Sequence, residues 1–208
     1  MLKALQPKVL LARPTLPTIH CQRHHYTHGR LPGLVEPRYY MLAMSTELIW
    51  QTISTGSDDT TRLGELVGSK LAGGEVIELR SDLGGGKTTF TQGLAKGAGS
   101  GDQVASPTFT LKRIYKTPKL QIFHYDFYRL SEPGILRDEL AESIGDKKAV
   151  TVIEWSDIVK DVLPTGRLSI EFTPTANGPD ERQVSIQYSE KFQSIIREIE
   201  TQWQESRP

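Results

Sequence analysis

The sequence predicts an α/β domain, a mixed β-sheet flanked by helices in three layers. Three observations predict it. A strand pattern runs straight into a glycine-rich loop and then a helix pattern, over residues 75–96. Further strand and helix patterns alternate downstream, the order expected of layered α/β folds. Two pairs of strand patterns are separated only by turn signals and so read as hairpins, which makes the sheet mixed rather than purely parallel.

From Thr46 onward the pattern is regular. Asp58 or Asp59 can cap a helix whose apolar face is Leu63, Leu66, Val67 and Leu71, with Gly73-Gly74 as its stop. Glu75 to Leu79 alternates as a strand. After the glycine loop a helix is expected over Lys87–Lys96, ended by Gly97 and Gly99. Leu111–Tyr115 and Leu120–Tyr125 read as strands of a hairpin turning near Pro118. Ser131–Ile144 reads as a helix with Glu132 and Pro133 in its first turn. Ala149–Ile153 is a short apolar strand, and Leu168–Phe172 and Gln183–Tyr188 are strands across a turn at Asn177-Gly178-Pro179. Phe192, Ile195, Ile196, Ile199 and Trp203 share one face of an amphipathic helix. These elements divide the chain into a main domain over residues 46–190 and a C-terminal helix over 191–208.

Composition bounds the function. The chain has 208 residues, 37% of them apolar and 24% charged, which is ordinary for a globular protein able to build a core. Cys21 is the single cysteine, so no intrachain disulfide and no cysteine zinc site can form. No run of about 18 apolar residues occurs, so no membrane partner or span is expected. Residues 1–43 hold Lys3, Lys8, Arg13, Arg23, Arg30 and Arg38 against Glu36 alone, a net +5. The rest of the chain then has 19 basic and 24 acidic residues, a poor surface for direct contact with nucleic acid. The first 45 residues, rich in Pro and holding four of the five histidines, are expected to be a basic extension outside the folded domain. Two explanations of it compete: an organellar transit peptide, which would make the protein mitochondrial, or translation starting at Met41 or Met44. The expected compartment is the cytoplasm, with the mitochondrion as the alternative.

The segment that carries chemistry is Ser81-Asp82-Leu83-Gly84-Gly85-Gly86-Lys87-Thr88. It matches the end of the Walker A pattern G-x-x-x-x-G-K-[ST], which binds phosphates between a strand and a helix. Glycines let backbone N–H groups curl around an anion, and the following helix turns its positive end toward it. Leu83, Gly84, Gly85 and Gly86 are therefore expected to cradle the phosphates, Lys87 to pair with the β- and γ-phosphates, and Thr88 to ligate Mg²⁺. ATP and Mg²⁺ are the cofactors implied, and the domain takes a P-loop NTPase-like form. Ser81 stands where the pattern has glycine; a positive φ there would strain a serine by about 1 kcal/mol or more.

Three further segments fit the loop. Ile153-Glu154 closes a strand where a carboxylate meets Mg²⁺ or its waters. Asp126, in His124-Tyr125-Asp126-Phe127-Tyr128-Arg129, could orient or deprotonate an attacking water or hold metal through water. Arg129 reads as a charge stabiliser or, the favoured reading, as a structural partner of Asp126, and His124 as a packed histidine. Ser106-Pro107-Thr108-Phe109-Thr110 sits where switch segments lie, so its hydroxyls could sense the γ-phosphate or Mg²⁺.

Those residues, with Thr89-Phe90, Leu130 and Trp155, strongly resemble the TsaE family, ATPases of tRNA threonylcarbamoyladenosine biosynthesis. The resemblance covers residues 46–188 and implies a weak Mg²⁺-dependent ATPase acting with TsaB- and TsaD-like partners. The modification is threonylcarbamoyladenosine at position 37 of tRNAs that read codons beginning with A. TsaE itself does not carry out the transfer, so tRNA is expected to be met only through the complex. By motif, Lys87 and Thr88 become phosphate and Mg²⁺ residues, Glu154 a second metal-side ligand, Asp126 the catalytic group, Thr108 a switch hydroxyl and Trp155 a neighbouring aromatic. Arg182 falls near the place where relatives present an arginine toward the nucleotide. The family usually has glycine at the position of Ser81 and alanine at that of Gly85. Two other readings compete: a nucleotide-dependent binding module with little hydrolysis, suggested by Ser81, and a small-molecule kinase. An arginine-rich kinase lid is missing, since residues 132–182 hold only Arg137, Arg167 and Arg182. A GTPase is disfavoured, since Asn177 is the single asparagine and no Asn-Lys-x-Asp pattern exists.

Overall fold

The computed structural model describes residues 47–206. The basic extension, with its transit-peptide and start-site alternatives, lies outside the described residues. The elements in chain order are β1 (Leu48–Ser54), α1 (Ser57–Ser69), β2 (Val76–Arg80), α2 (Lys87–Gly97), β3 (Lys112–Lys116), β4 (Gln121–Asp126), α3 (Leu136–Gly145), β5 (Ala149–Glu154), β6 (Leu168–Pro174), β7 (Arg182–Tyr188) and α4 (Gln193–Glu205). A 3₁₀ turn over Ser156–Val159 follows β5.

The strands form one seven-stranded sheet in the order β1-β7-β6-β2-β5-β4-β3. Its centre is parallel, β6 with β2, β2 with β5 and β5 with β4. Antiparallel strands flank it, β3 on β4 at one edge and β7 then β1 beyond β6 at the other. The mixed sheet expected from the hairpin patterns is what forms. β5 is buried at all six positions, as suits a strand covered on both faces. β6 and β7 alternate between buried and more exposed positions, the pattern of strands with one wetter face.

Successive residues of the central strands feed two cores. Ile77, Leu79, Val150 and Val152 join Leu63 and Val67 of α1, Phe90 and Leu94 of α2, and Ile196, Ile199 and Trp203 of α4. Val76, Tyr125 and Ile153 join Leu140 of α3 with Val159 and Leu163 on the opposite face. Fully burying each Leu, Ile or Phe contributes roughly 1.5–3 kcal/mol, so the two cores fix the sheet between its helix layers. No helix among the described residues is long and apolar enough to cross a membrane.

α1 and α2 meet backbone to backbone. A Cβ at Gly93 would fall on the Thr61 carbonyl, and one at Gly68 on the Leu94 carbonyl. Gly64 and Gly97 have similar neighbours. Glycines at i and i+4 on both helices make this approach possible, and it holds the start of α1 beside the glycine loop.

Several expectations change. β1, which periodicity did not single out, pairs along its whole length with β7, from Leu48 opposite Tyr188 to Ser54 opposite Arg182. Gly56, not an aspartate, is the N-cap of α1; Asp59 instead accepts bonds from the Thr55 amide and hydroxyl. α1 ends at Ser69, so Leu71 and Gly73-Gly74 belong to the loop after it. α3 starts at Leu136 rather than Ser131, because Gly134 takes a left-handed φ of 50° that interrupts a helix there.

Candidate nucleotide site

The glycine loop leaves β2 at Arg80 and enters α2 at Lys87. Gly84 and Gly86 have φ of 75° and 109°, conformations that favour glycine. Gly86 is the N-cap of α2, and no side chain caps the helix. The first-turn amides of α2 therefore have no side-chain cap, at the positive end of the helix. Ser81 is not among the described non-glycine residues with positive φ, which are Leu111 and Trp155, so the serine is unstrained there.

Lys87 is buried, and its Nζ donates to the Ser81 carbonyl at 3.1 Å, the Ser81 hydroxyl at 3.0 Å and the Asp82 carbonyl at 3.1 Å. The ammonium also sits 4.8 Å from the centre of the Trp155 ring. Burial pushes its pKa below the usual lysine value, opposed in part by the charges of Glu154, Asp126 and Asp82.

Asp126 ends β4 and Glu154 ends β5, directly opposite each other in the parallel register. Strand spacing sets their backbones about 4.8 Å apart. Asp126 is 1% exposed. Its Oδ2 accepts a short bond from the Thr108 hydroxyl and its Oδ1 a 2.9 Å bond from the Tyr128 amide. The Ser106 hydroxyl lies 2.6 Å from that of Thr108, so the Ser106–Thr108 segment is tied to the strand end. Glu154 is 3% exposed, and its Oε1 lies 2.9 Å from Nε2 of the fully buried His124. The other ring nitrogen of His124 faces the Tyr115 hydroxyl at 3.5 Å, and Tyr115 donates to the Ala105 carbonyl at 2.8 Å.

A cleft of about 220 Å³ gathers Leu83, Gly84, Gly85, Gly86, Lys87, Thr88, Thr108, Asp126 and Glu154 with Thr89, Ser106 and Trp155. Residues 83–88, Thr108, Asp126 and Glu154 thus share one cleft, while Ser81, His124 and Arg129 are not among its lining residues. Arg182 does not line it. That residue lies beside the far side of the same loop, in a cleft of about 110 Å³ with Gly56, Ser57, Thr60, Thr89, Gly84–Gly86 and Asp180. Its guanidinium donates to the carbonyls of Pro179 and Glu181, while Nε is buried without a protein partner. Arg129 does not pair with Asp126; it stacks on the Phe109 ring at 4.2 Å. Tyr115, Ser57 and Thr60 escaped the sequence reading, because no motif marks them.

The donors fit a hard cation and an anion together. Two carboxylates and the hydroxyls of Thr88 and Thr108 are the oxygen ligands that suit Mg²⁺. No cluster of three or more His, Cys, Asp or Glu able to hold a metal occurs among the described residues. Mg²⁺ characteristically uses one or two carboxylates and completes its shell with water and phosphate, and the donors here have that chemistry.

Comparison with known proteins identifies the family. The family model described as threonylcarbamoyl adenosine biosynthesis protein TsaE matches residues 54–184. The Bacillus subtilis tRNA threonylcarbamoyladenosine biosynthesis protein TsaE is 33% identical over 140 residues, 67% of this chain and 85% of that protein. The Treponema pallidum protein of the same name is 37% identical over 134 residues, 64% of this chain and 97% of its own. The crystal structure of YdiB from Bacillus subtilis superimposes with a TM-score of 0.59 at 29% identity, covering 75% of this chain and 95% of that one. A match that runs from the last residue of β1 into β7 takes in the loop, both strand-end carboxylates and the Ser106–Thr108 segment, and the chain therefore belongs to the TsaE family.

Proposed function

We propose that the chain binds ATP with Mg²⁺ and hydrolyses it weakly, in support of threonylcarbamoyladenosine formation at position 37 of tRNAs reading A-starting codons. The observation that carries this reading is the common cleft. Lys87, Thr88 and the uncapped start of α2 face the same space as two carboxylates from neighbouring strand ends.

The residues divide the work by their chemistry. The loop amides and Lys87 hold the phosphates and stabilise charge that builds on them. Thr88 and Glu154 would hold Mg²⁺, which when bound would supply positive charge to neutralise the phosphates. Asp126, oriented by Thr108 and the Tyr128 amide, retains lone pairs to accept a proton from a water aimed at the γ-phosphate. Arg182 and its cleft beside the loop would receive part of the nucleoside end. TsaB- and TsaD-like proteins are the partners, in a cytoplasmic setting, and tRNA is engaged through them. Weak hydrolysis is favoured by Ser81, whose hydroxyl occupies Lys87; the same contact supports a second reading, a nucleotide-dependent binding module that barely turns over.

The test has two parts. Phosphate release from MgATP is measured with the purified chain, alone and with a TsaB–TsaD pair. The chain is also expressed in a bacterium depleted of its own TsaE, and the modified nucleoside is quantified in its tRNA. Slow release that rises with the partners, and restored modification, are expected. Folded protein that neither binds MgATP nor restores the modification refutes the proposal.

A further inference from the structure

A lysine ammonium has three N–H donors and no acceptor. In this loop three oxygens face it: the carbonyls of Ser81 and Asp82 and the Ser81 hydroxyl, all at 3.0–3.1 Å. The two carbonyls are fixed by the backbone. The hydroxyl is carried on a rotatable side chain and also donates to the Asp82 carbonyl at 2.9 Å. An incoming phosphate oxygen that needs a lysine N–H must therefore displace something, and the hydroxyl is the partner that can turn away.

The loop makes room for this hydroxyl at one position. A Cβ on Gly85 would fall 2.5 Å from the Ser81 Cβ, closer still to the Ser81 hydroxyl oxygen, and 3.0 Å from the Asp82 carbonyl oxygen. Gly85, unlike Gly84 and Gly86, has no positive φ, so the requirement for glycine there is space rather than conformation. Ser81 and Gly85 are an interlocked pair: a serine at the first position of the loop excludes any side chain at the fifth.

We propose that Ser81 is a positioning residue that gates Lys87, its hydroxyl serving as a displaceable third acceptor that phosphate must replace, with Gly85 as the residue that admits it. The proposal rests on the nucleotide reading above. A hydrogen bond to a charged group is stronger than a neutral one, so the gate sets how tightly the triphosphate is held.

The experiment uses the full chain and calorimetry with a non-hydrolysable MgATP analogue, with AMP as a competitor that lacks the β- and γ-phosphates. Ser81→Ala removes the acceptor and keeps the Cβ. It is expected to bind the triphosphate analogue about fivefold more tightly than the wild type while AMP binding is unchanged. Gly85→Ala alone lowers the melting temperature by several degrees. Ser81→Gly/Gly85→Ala restores it, and Ser81→Ala/Gly85→Ala does not, because the Ser81 Cβ is still in the way. A Ser81→Ala protein that binds the analogue no better than the wild type, or gains equally for AMP, overturns the gate and leaves the nucleotide reading standing. A Gly85→Ala protein as stable as the wild type overturns the interlock. A folded wild type that binds no MgATP analogue overturns the nucleotide reading and the gate together.

Discussion

Replacing Gly93 by alanine sets two known effects against each other, and the structure decides between them. Alanine is the better helix former, and the exchange in an exposed helix interior is worth about 1 kcal/mol. At Gly93, however, the new Cβ would lie 2.7 Å from the Thr61 carbonyl carbon and 3.0 Å from the Glu65 amide nitrogen. Carbon atoms pack best at roughly 3.5–4.0 Å, so α2 must withdraw from α1 by about 1 Å. The obstacles are backbone atoms of a neighbouring helix and cannot swing aside. A gap of about that size forfeits a quarter to a half of the contact attraction across it, and overpacking of this kind typically costs ~1–3 kcal/mol. Taking the upper end for a rigid contact and subtracting the propensity gain leaves a net loss of about 2 kcal/mol. Urea denaturation would show it as a lower midpoint at unchanged slope, and a thermal melt as a drop of roughly 4–8 °C. Gly145→Ala, at the end of α3 with nothing within 4 Å of the new methyl, is the control and should be neutral or slightly stabilising. If Gly93→Ala matched that control, the backbone contact between α1 and α2 would not be what sets their spacing.

Other perturbations test the site directly. Lys87→Ala should abolish calorimetric binding of MgATP while leaving the circular dichroism spectrum intact; retained affinity would remove Lys87 from the phosphate site. Asp126→Ala should lower kcat by about 10²-fold or more and change KM little, and normal turnover would show that Asp126 is not the base. Glu154→Gln should raise the Mg²⁺ concentration needed for half-maximal activity, read by metal titration. Arg167→Met tests the buried Glu78, which holds the Arg167 guanidinium at 2.7 Å and the Ser156 hydroxyl at 2.5 Å. Burial raises the Glu78 pKa, but those hydrogen bonds and the charges of Arg167 and Arg80 outweigh it and hold the pKa below the ordinary value. A carboxyl depressed in the fold stabilises above its unfolded pKa, roughly 4.3, and that stabilisation fades as pH falls through the folded value. Without Arg167 two of the lowering causes are lost while the Ser156 bond and the Arg80 charge remain, so the Glu78 pKa moves up. The variant should be less stable than the wild type at pH 7, with the gap narrowing as pH falls, read from denaturation midpoints across pH; a gap that does not change with pH would show that Arg167 does not hold the Glu78 charge.

Local chemistry was legible in the sequence, and distant pairing was not. The loop could be read because phosphate binding demands glycines, a lysine and a hydroxyl at adjacent positions. Asp126 and Glu154 could be placed at strand ends because apolar runs stop at both, but their side-by-side register depends on how β4 and β5 align. β1 escaped because Leu-Ile-Trp-Gln-Thr-Ile-Ser buries only Trp50 and Ser54, so its alternation is faint; what makes it a strand is the partner β7, far along the chain. The start of α3 was misplaced because proline in a first turn is a good helix signal, while the left-handed turn at Gly134 depends on the surrounding chain. Arg182 lies on the α1 side of the loop rather than in the cleft with Lys87, because the β6–β7 hairpin delivers it there, and no local pattern gives that placement. The Glu78–Arg167–Ser156 cluster and the Glu154–His124–Tyr115 chain join residues from several elements, and no spacing rule announces them.

One contact between the first strand and the last helix bears on how the chain could be rewired. The Trp203 indole donates to the Thr52 hydroxyl at 2.6 Å, which brings the closing turn of α4 onto the opening strand. Leu48 is four residues of strand from that contact, about 13 Å, and Ser206 is less than one helical turn from it. In a protein cut to the described residues 47–206, a short glycine-serine tether could join the two ends, and the ring so formed could be cut beside the exposed Asn177 in the β6–β7 turn. Such a permuted protein would keep every strand neighbour while moving its ends to the hairpin that carries Arg182, where a fluorophore could report what that corner of the molecule meets.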